Sequence, residues 1–92
     1  MLCLLPSKFQ VKYILGGTTM EKHHKYFVQI GLNILYYRKE KGLTQLQLAD
    51  LTSFSRNHIQ QIETAKAIPS VSALIDIADA LQIPITKLLE FR

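Results

Sequence analysis

The side chains with most chemistry to offer lie between Thr44 and Lys66, in the run TQLQLADLTSFSRNHIQQIETAK. Arg56, Asn57, Gln60, Gln61 and Thr64 are hydrogen-bonding groups with no nucleophile–base pairing among them. Such groups suit the edges of DNA bases. Arginine can donate twice to guanine O6 and N7, and glutamine or asparagine matches adenine N6 and N7. Elsewhere the chain shows no glycine-rich phosphate loop and no catalytic constellation, so no enzyme activity and no cofactor are expected. His23 and His24 adjoin in a polar stretch without further ligands at metal-binding spacing, and are expected to be solvated rather than metal-bound. His58 lies beside the polar edge and is expected to be exposed, with a phosphate contact as the alternative.

Two short helices must position these groups. Thr44 is a good N-cap, and Gln47 completes a T-x-x-Q capping box. Leu48, Ala49 and Leu51 then give a small apolar face that stops at Thr52-Ser53. Ser55 offers a second N-cap, which makes Arg56 the first helical residue. At about 100° per residue, Ile59 and Ile62 fall on one side of this second helix, with Arg56, Asn57, Gln60, Gln61 and Thr64 on the other. The break of about four residues between the helices is typical of a helix-turn-helix. Taken alone, the polar side has a plainer reading as a solvated face.

Further helices frame the pair. Between Tyr26 and Lys41, apolar residues recur at Phe27, Ile30, Ile34 and Tyr37, and Gly42 follows as a C′ residue. Pro69-Ser70 opens a helix running to about Leu81, with Val71, Leu74, Ile75, Ile77, Ala78 and Leu81 expected to point mostly inward. After Pro84, Ile85, Leu88 and Leu89 make a last short helix. Nothing from residue 26 onward alternates with the period of a strand. The expected fold class is all-α, a compact five-helix bundle of roughly 65 residues with one modest core.

These fragments, in this order, resemble the phage repressor and Cro type of helix-turn-helix, the XRE-like family. The resemblance is carried by I-G-L-N-I at Ile30–Ile34, R-K-E-K-G-L-T-Q at Arg38–Gln45, L-A at Leu48-Ala49, and S-R at Ser55-Arg56. It continues through I-x-x-I-E at Ile59–Glu63, I-P-S at Ile68–Ser70, L-x-x-I-A-x-A-L at Leu74–Leu81, and Leu88-Leu89. It spans about residues 27–91 and implies the lambda-repressor-like DNA-binding fold, with Ser55–Thr64 as recognition helix.

The resemblance also implies roles. Arg56, Asn57 and Gln61, with Gln60 beside them, would face base edges in the major groove, while Gln45 would hold a backbone phosphate. Thr44, Thr64 and Lys66 are further phosphate candidates, contacts that fix register without reading sequence. Arg38 and Glu63 would form a structural brace between the first helix and the end of the recognition helix. In this family two recognition helices of a dimer sit about one DNA turn, roughly 34 Å, apart. Ile85, Leu89 and Phe91 are the expected dimer interface, the alternative being that such residues close the core. The chain departs from the pattern where glycine is usual, at Ser53, at Thr64-Ala65 and at Gln82. A non-glycine residue held at positive φ there costs around 1 kcal/mol.

Composition is consistent with an anionic partner without demanding one. The net charge is +4 and the pI about 9.4. Lys8 and Lys12 supply two of the eleven basic residues, while all seven acids follow Met20, which leaves the helical part at +2. Residues 1–19 read as an extension distinct from the domain at 20–92. Phe9–Leu15 has strand-like alternation and could pack on Leu32, Leu35 and Tyr36, or pair with its own copy. Gly16-Gly17 before Met20 is also compatible with a ribosome-binding sequence, so Met20 is a candidate start. The extension lacks the basic start of a signal peptide, and no segment has the length of a membrane span. A single cysteine, Cys3, cannot make an internal disulfide, which fits a bacterial or phage protein of the reducing cytoplasm, associated with the nucleoid. Two functions remain. The favoured one is a dimeric repressor or autoregulator binding double-stranded operator DNA, an inverted repeat. The alternative is a protein-interaction module that keeps the fold and binds a partner such as a toxin.

Overall fold

A computed structural model of the chain describes residues 22–91. The strand expected at Phe9–Leu15 and the candidate start at Met20 lie outside the described residues. Five helices follow one another: α1 His24–Glu40, α2 Gln45–Leu51, α3 Arg56–Glu63, α4 Val71–Leu81 and α5 Ile85–Leu88. No strand occurs among the described residues, as the periodicity implied. The first helix starts two residues before the expected Tyr26, at His24, and its N-cap His23 makes no side-chain capping bond.

The helix starts are set by hydroxyl caps. Thr44 Oγ1 accepts from the Gln47 backbone N–H at 3.0 Å, and Gln47 Oε1 accepts from the Thr44 N–H at 2.8 Å, completing the capping box. Ser55 Oγ accepts from His58 N–H at 3.1 Å, and Ser70 Oγ from Ala73 N–H at 3.0 Å. Three helix ends share one geometry. Gly42, Ala65 and Gln82 sit at φ of 72°, 61° and 58°. In each case two backbone N–H groups bond back to the last turn: Gly42 to Lys39 and Leu43 to Arg38, Ala65 to Ile62 and Lys66 to Gln61, Gln82 to Asp79 and Ile83 to Ala78. That pairing is the Schellman motif, which places one left-handed residue just past the helix. Two of the three positions where glycine is usual thus carry a side chain in the left-handed region, whereas Ser53 does not.

The core is built from α1, α2, α3 and α4, closed by one residue of α5. Ile34, Leu48, Ile59, Ile77, Leu81 and Leu88 are fully buried. Phe27, Tyr37, Phe54 and Ile85 pack partly buried around them. α1 and α2 both pack on α3, α4 packs on α2 and α5, and α5 also touches α1. Three apolar residues expected to face inward do not: Leu51, Val71 and Ile75 are exposed. Each falls on the outer flank of a short amphipathic helix, where the core is already filled by Leu48, Leu74 and Ala78.

Candidate nucleic-acid interface

The turn between α2 and α3 is fixed by Thr52 and Phe54. Thr52 Oγ1 donates to the carbonyls of Leu48 and Ala49 at 3.2 and 3.1 Å, and accepts from Phe54 N–H at 3.3 Å. Phe54 packs on the core, so α3 leaves the turn at a set angle. Its first two residues, Arg56 and Asn57, are exposed. Gln60 and Gln61 are half-buried one turn on. Among the described residues, none of these four side chains makes a hydrogen bond or ion pair. His58 is half-buried rather than exposed, its ring 5.1 Å from that of Phe54.

The far end of α3 is the opposite. Ile59 and Ile62 are buried, and the Glu63 carboxylate is enclosed with Arg38. Arg38 Nε donates to Glu63 Oε2 at 2.6 Å and Nη2 to Oε1 at 3.0 Å, a two-point bond between α1 and α3. Arg38 Nη1 donates further to the Leu43 carbonyl at 2.8 Å. Paired in this way at two points, a buried guanidinium and carboxylate compensate much of each other's desolvation.

Gln45 joins the same cluster. Its Nε2 donates to Glu63 Oε1 at 3.0 Å, so the amide expected to hold a phosphate spends one donor inside the protein and keeps a second N–H. Thr44 accepts as a helix cap while its hydroxyl proton remains available. Thr64 donates its hydroxyl to the Gln60 carbonyl at 2.9 Å. Lys66 is exposed just beyond the left-handed Ala65. Thr44, Gln45 and Arg56 line one shallow groove together with Lys39 and Leu46. Thr64 and Lys66 lie at the other end of α3, about 12 Å of helix away.

Two residues of this site carry no signal in their own chemistry. Lys39 contributes a cation to the groove and was hidden in the R-K-E-K run as one charge among several. Gly31 has no side chain at all. A Cβ there would stand 2.5 Å from the Glu63 carbonyl oxygen and 2.7 Å from that of Ile62, so only glycine lets α1 meet the end of α3 this closely. The one available sign is its placement in α1 seven residues before Arg38, which puts both on one face.

Of the residues expected at a dimer interface, Leu89 and Phe91 are exposed and Ile85 is half-buried against the core. The Phe91 ring rests edge-on against Tyr26, centroids 5.3 Å apart. Among the described residues no cluster of three or more histidine, cysteine or acidic side chains could hold a metal ion.

Known proteins share this arrangement. The helix-turn-helix family model (HTH_3) matches residues 34–88. The immunity repressor protein of Bacillus phage phi105 is 39% identical over 59 residues, which cover 64% of this chain and 41% of the repressor. The chain therefore spans less than half the length of that relative. An uncharacterized HTH-type transcriptional regulator, y4dJ, of Sinorhizobium fredii is 35% identical over 52 residues, 56% of this chain and 68% of that protein. Among solved structures, the restriction-modification controller protein C.AhdI from Aeromonas hydrophila superposes with a TM-score of 0.70 at 29% identity, over 72% of this chain and 96% of that one. The clp gene regulator ClgR from C. glutamicum shares the fold, with a TM-score of 0.67 at 22% identity over 70% and 83% of the two chains. With the family model matched across both motif helices and the framing helices α4 and α5, the chain belongs to the XRE-like helix-turn-helix family.

Proposed function

We propose that this chain is a sequence-specific regulator of transcription, a dimeric repressor or autoregulator that reads the major groove of an inverted-repeat operator with residues 55–64. The observation that carries this reading is the contrast within α3. Uncommitted polar side chains sit at its exposed start, on a helix whose far end is buried and braced. Arg56 matches guanine, while Asn57, Gln60 and Gln61 match adenine. Thr44, Gln45 and Lys66 contact phosphates on either side, with Lys39 in the same groove as Arg56, and Thr64 joins them by turning its hydroxyl away from the Gln60 carbonyl. The dimer forms through Leu89 and Phe91 with the edge of Ile85. Its function lies in the cytoplasm, and no described helix is long and apolar enough to cross a membrane. A phage immunity repressor and a restriction-modification controller protein among its relatives support a regulatory rather than an enzymatic role.

Selection of binding sites from random duplexes with the purified protein tests the proposal. An inverted repeat should emerge. Arg56→Ala and Gln61→Ala should each lose about 1–3 kcal/mol and relax one base position. Affinity should fall with salt, and Lys66→Ala should reduce the salt slope by about one without changing the preferred sequence. A selection that recovers no consensus, or variants that bind like the parent, would overturn the reading. A protein partner such as a toxin would then be the better candidate, and the exposed Leu32 and Tyr36 on α1 the first place to look for its contact.

A further inference from the structure

Helix α1 has two working edges. Gly31 and Arg38 hold the end of the recognition helix. Gln29 and Asn33 instead meet the C-terminal segment. Asn33 is a polar side chain only 1% exposed, in a core otherwise made of isoleucine, leucine and alanine. Its Nδ2 donates to the Leu88 carbonyl at 3.0 Å and to the Glu90 carbonyl at 2.9 Å. Its Oδ1 accepts from Gln29 Nε2 at 3.0 Å. Both amide protons and the acceptor are therefore in use.

The carbonyls it holds lie at and just beyond the end of a short helix. α5 is four residues long, and a helix leaves its last carbonyls without partners of its own. Beyond Leu88 the chain makes no further turn of helix. Leu89 and Phe91, the exposed apolar residues of this segment, flank the Glu90 carbonyl that Asn33 grips. Leucine in place of Asn33 would fill the same space. What asparagine adds is a fixed place for two backbone groups, through one buried and one part-buried hydrogen bond.

We propose that Asn33 is the positioning residue of the dimer surface. By gripping the Leu88 and Glu90 carbonyls it fixes Leu89 and Phe91 to the same helix that anchors the recognition helix. The two recognition helices of a dimer then stand at one set separation, and the protein discriminates between operators by half-site spacing as well as by bases. The inference rests on the dimeric reading above.

The test compares the full-length parent, Asn33→Leu and Gln29→Leu by sedimentation equilibrium, and by binding to a half-site duplex and to inverted repeats of graded spacing. Asn33→Leu should weaken dimerisation by about tenfold or more, the loss expected when one buried and one part-buried hydrogen bond are removed together. It should flatten the spacing preference, yet leave half-site affinity within about twofold. Gln29→Leu leaves both grips in place but frees the amide to turn, so its effect should run the same way at about threefold. Unchanged dimerisation and spacing preference in both variants would overturn the proposal. So would half-site binding that falls in step with full-site binding, since that marks a general packing role. If Asn33→Leu does not fold, Gln29→Leu decides alone. A monomeric parent overturns the dimeric reading and this inference with it, whereas a dimeric parent with insensitive variants overturns only the inference.

Discussion

The two ends of α3 are built for different tasks, although only about 12 Å of helix separates them. At the start, Arg56 and Asn57 are exposed, and their side chains are hydrogen-bonded to nothing among the described residues. At the finish, Glu63 is bound by Arg38 and Gln45, its carbonyl lies against Gly31, and the chain turns through a left-handed alanine. One end is free to change with little effect on the fold. The other holds the fold and has no freedom to read anything. Fixing a helix at one end lets the other present side chains from a defined backbone position, so that binding has to order the side chains but not the helix.

The hardest way to break this contrast is at the braced end. Arg38→Ala leaves the Glu63 carboxylate buried without its main partner, a loss of about 3–5 kcal/mol. Its Tm should fall by more than about 10 °C, with operator binding lost in parallel. An unchanged melting temperature would refute the brace. Replacing Arg38 and Glu63 together by apolar side chains should be far milder than the single change, because no buried charge is then stranded. Gly31→Ala comes next. Its methyl group must push α1 and the end of α3 apart, an overpacking of about 1–3 kcal/mol. Unlike Arg38→Ala it should leave the ion pair formed, so a Gly31→Ala protein as stable as the parent would show that the close approach is dispensable.

At the free end the expected pattern inverts. Arg56→Ala should leave the melting curve within about 0.5 kcal/mol of the parent while removing about 1–3 kcal/mol of specific binding. If instead stability falls and specificity survives, the division between the two ends is wrong, because Arg56 would then be part of the anchor. Measuring melting and operator titration on the same preparations separates the two outcomes.

How much of this could be read beforehand depends on where each residue finds its partners. Thr44, Ser55 and Ser70 find theirs within three residues, so the helix starts follow from local rules. Gly42 ends α1 for the same local reason. The pairing of Arg38 with Glu63 spans 25 residues; periodicity cannot see it, and only the resemblance to a known family suggested it. Gly31 and Asn33 fall within the same resemblance, which implies no role for either. A glycine in a helix looks like a weak helix former until the backbone it touches is known. An asparagine beside Ile34 looks like a surface residue until the carbonyls of Leu88 and Glu90 arrive from 55 and 57 residues away. Leu51, Val71 and Ile75 mislead from the other side, because apolar character says what a residue can bury and not whether the core has room for it.

The smallest expected effect probes the strain at the anchored end. Ala65 and Gln82 occupy the same left-handed position of the same motif, at φ of 61° and 58°, but Ala65 is 4% exposed and Gln82 lies on the surface. Gln82→Gly removes the strain and adds backbone freedom to the unfolded chain, so on balance it should stabilise the protein by up to about 1 kcal/mol. That corresponds to a Tm about 4–8 °C higher in a domain of this size. Ala65→Gly shares both of these effects but also removes a buried methyl, worth about 0.8 kcal/mol. The net gain and the loss of the methyl should nearly cancel. A denaturant titration of both variants against the parent therefore reads the packing at the end of α3 as a difference between two otherwise matched turns. A gain at Ala65→Gly as large as at Gln82→Gly would mean that the Ala65 methyl contributes nothing there, and that the anchor is held by Arg38, Gln45 and Gly31 alone.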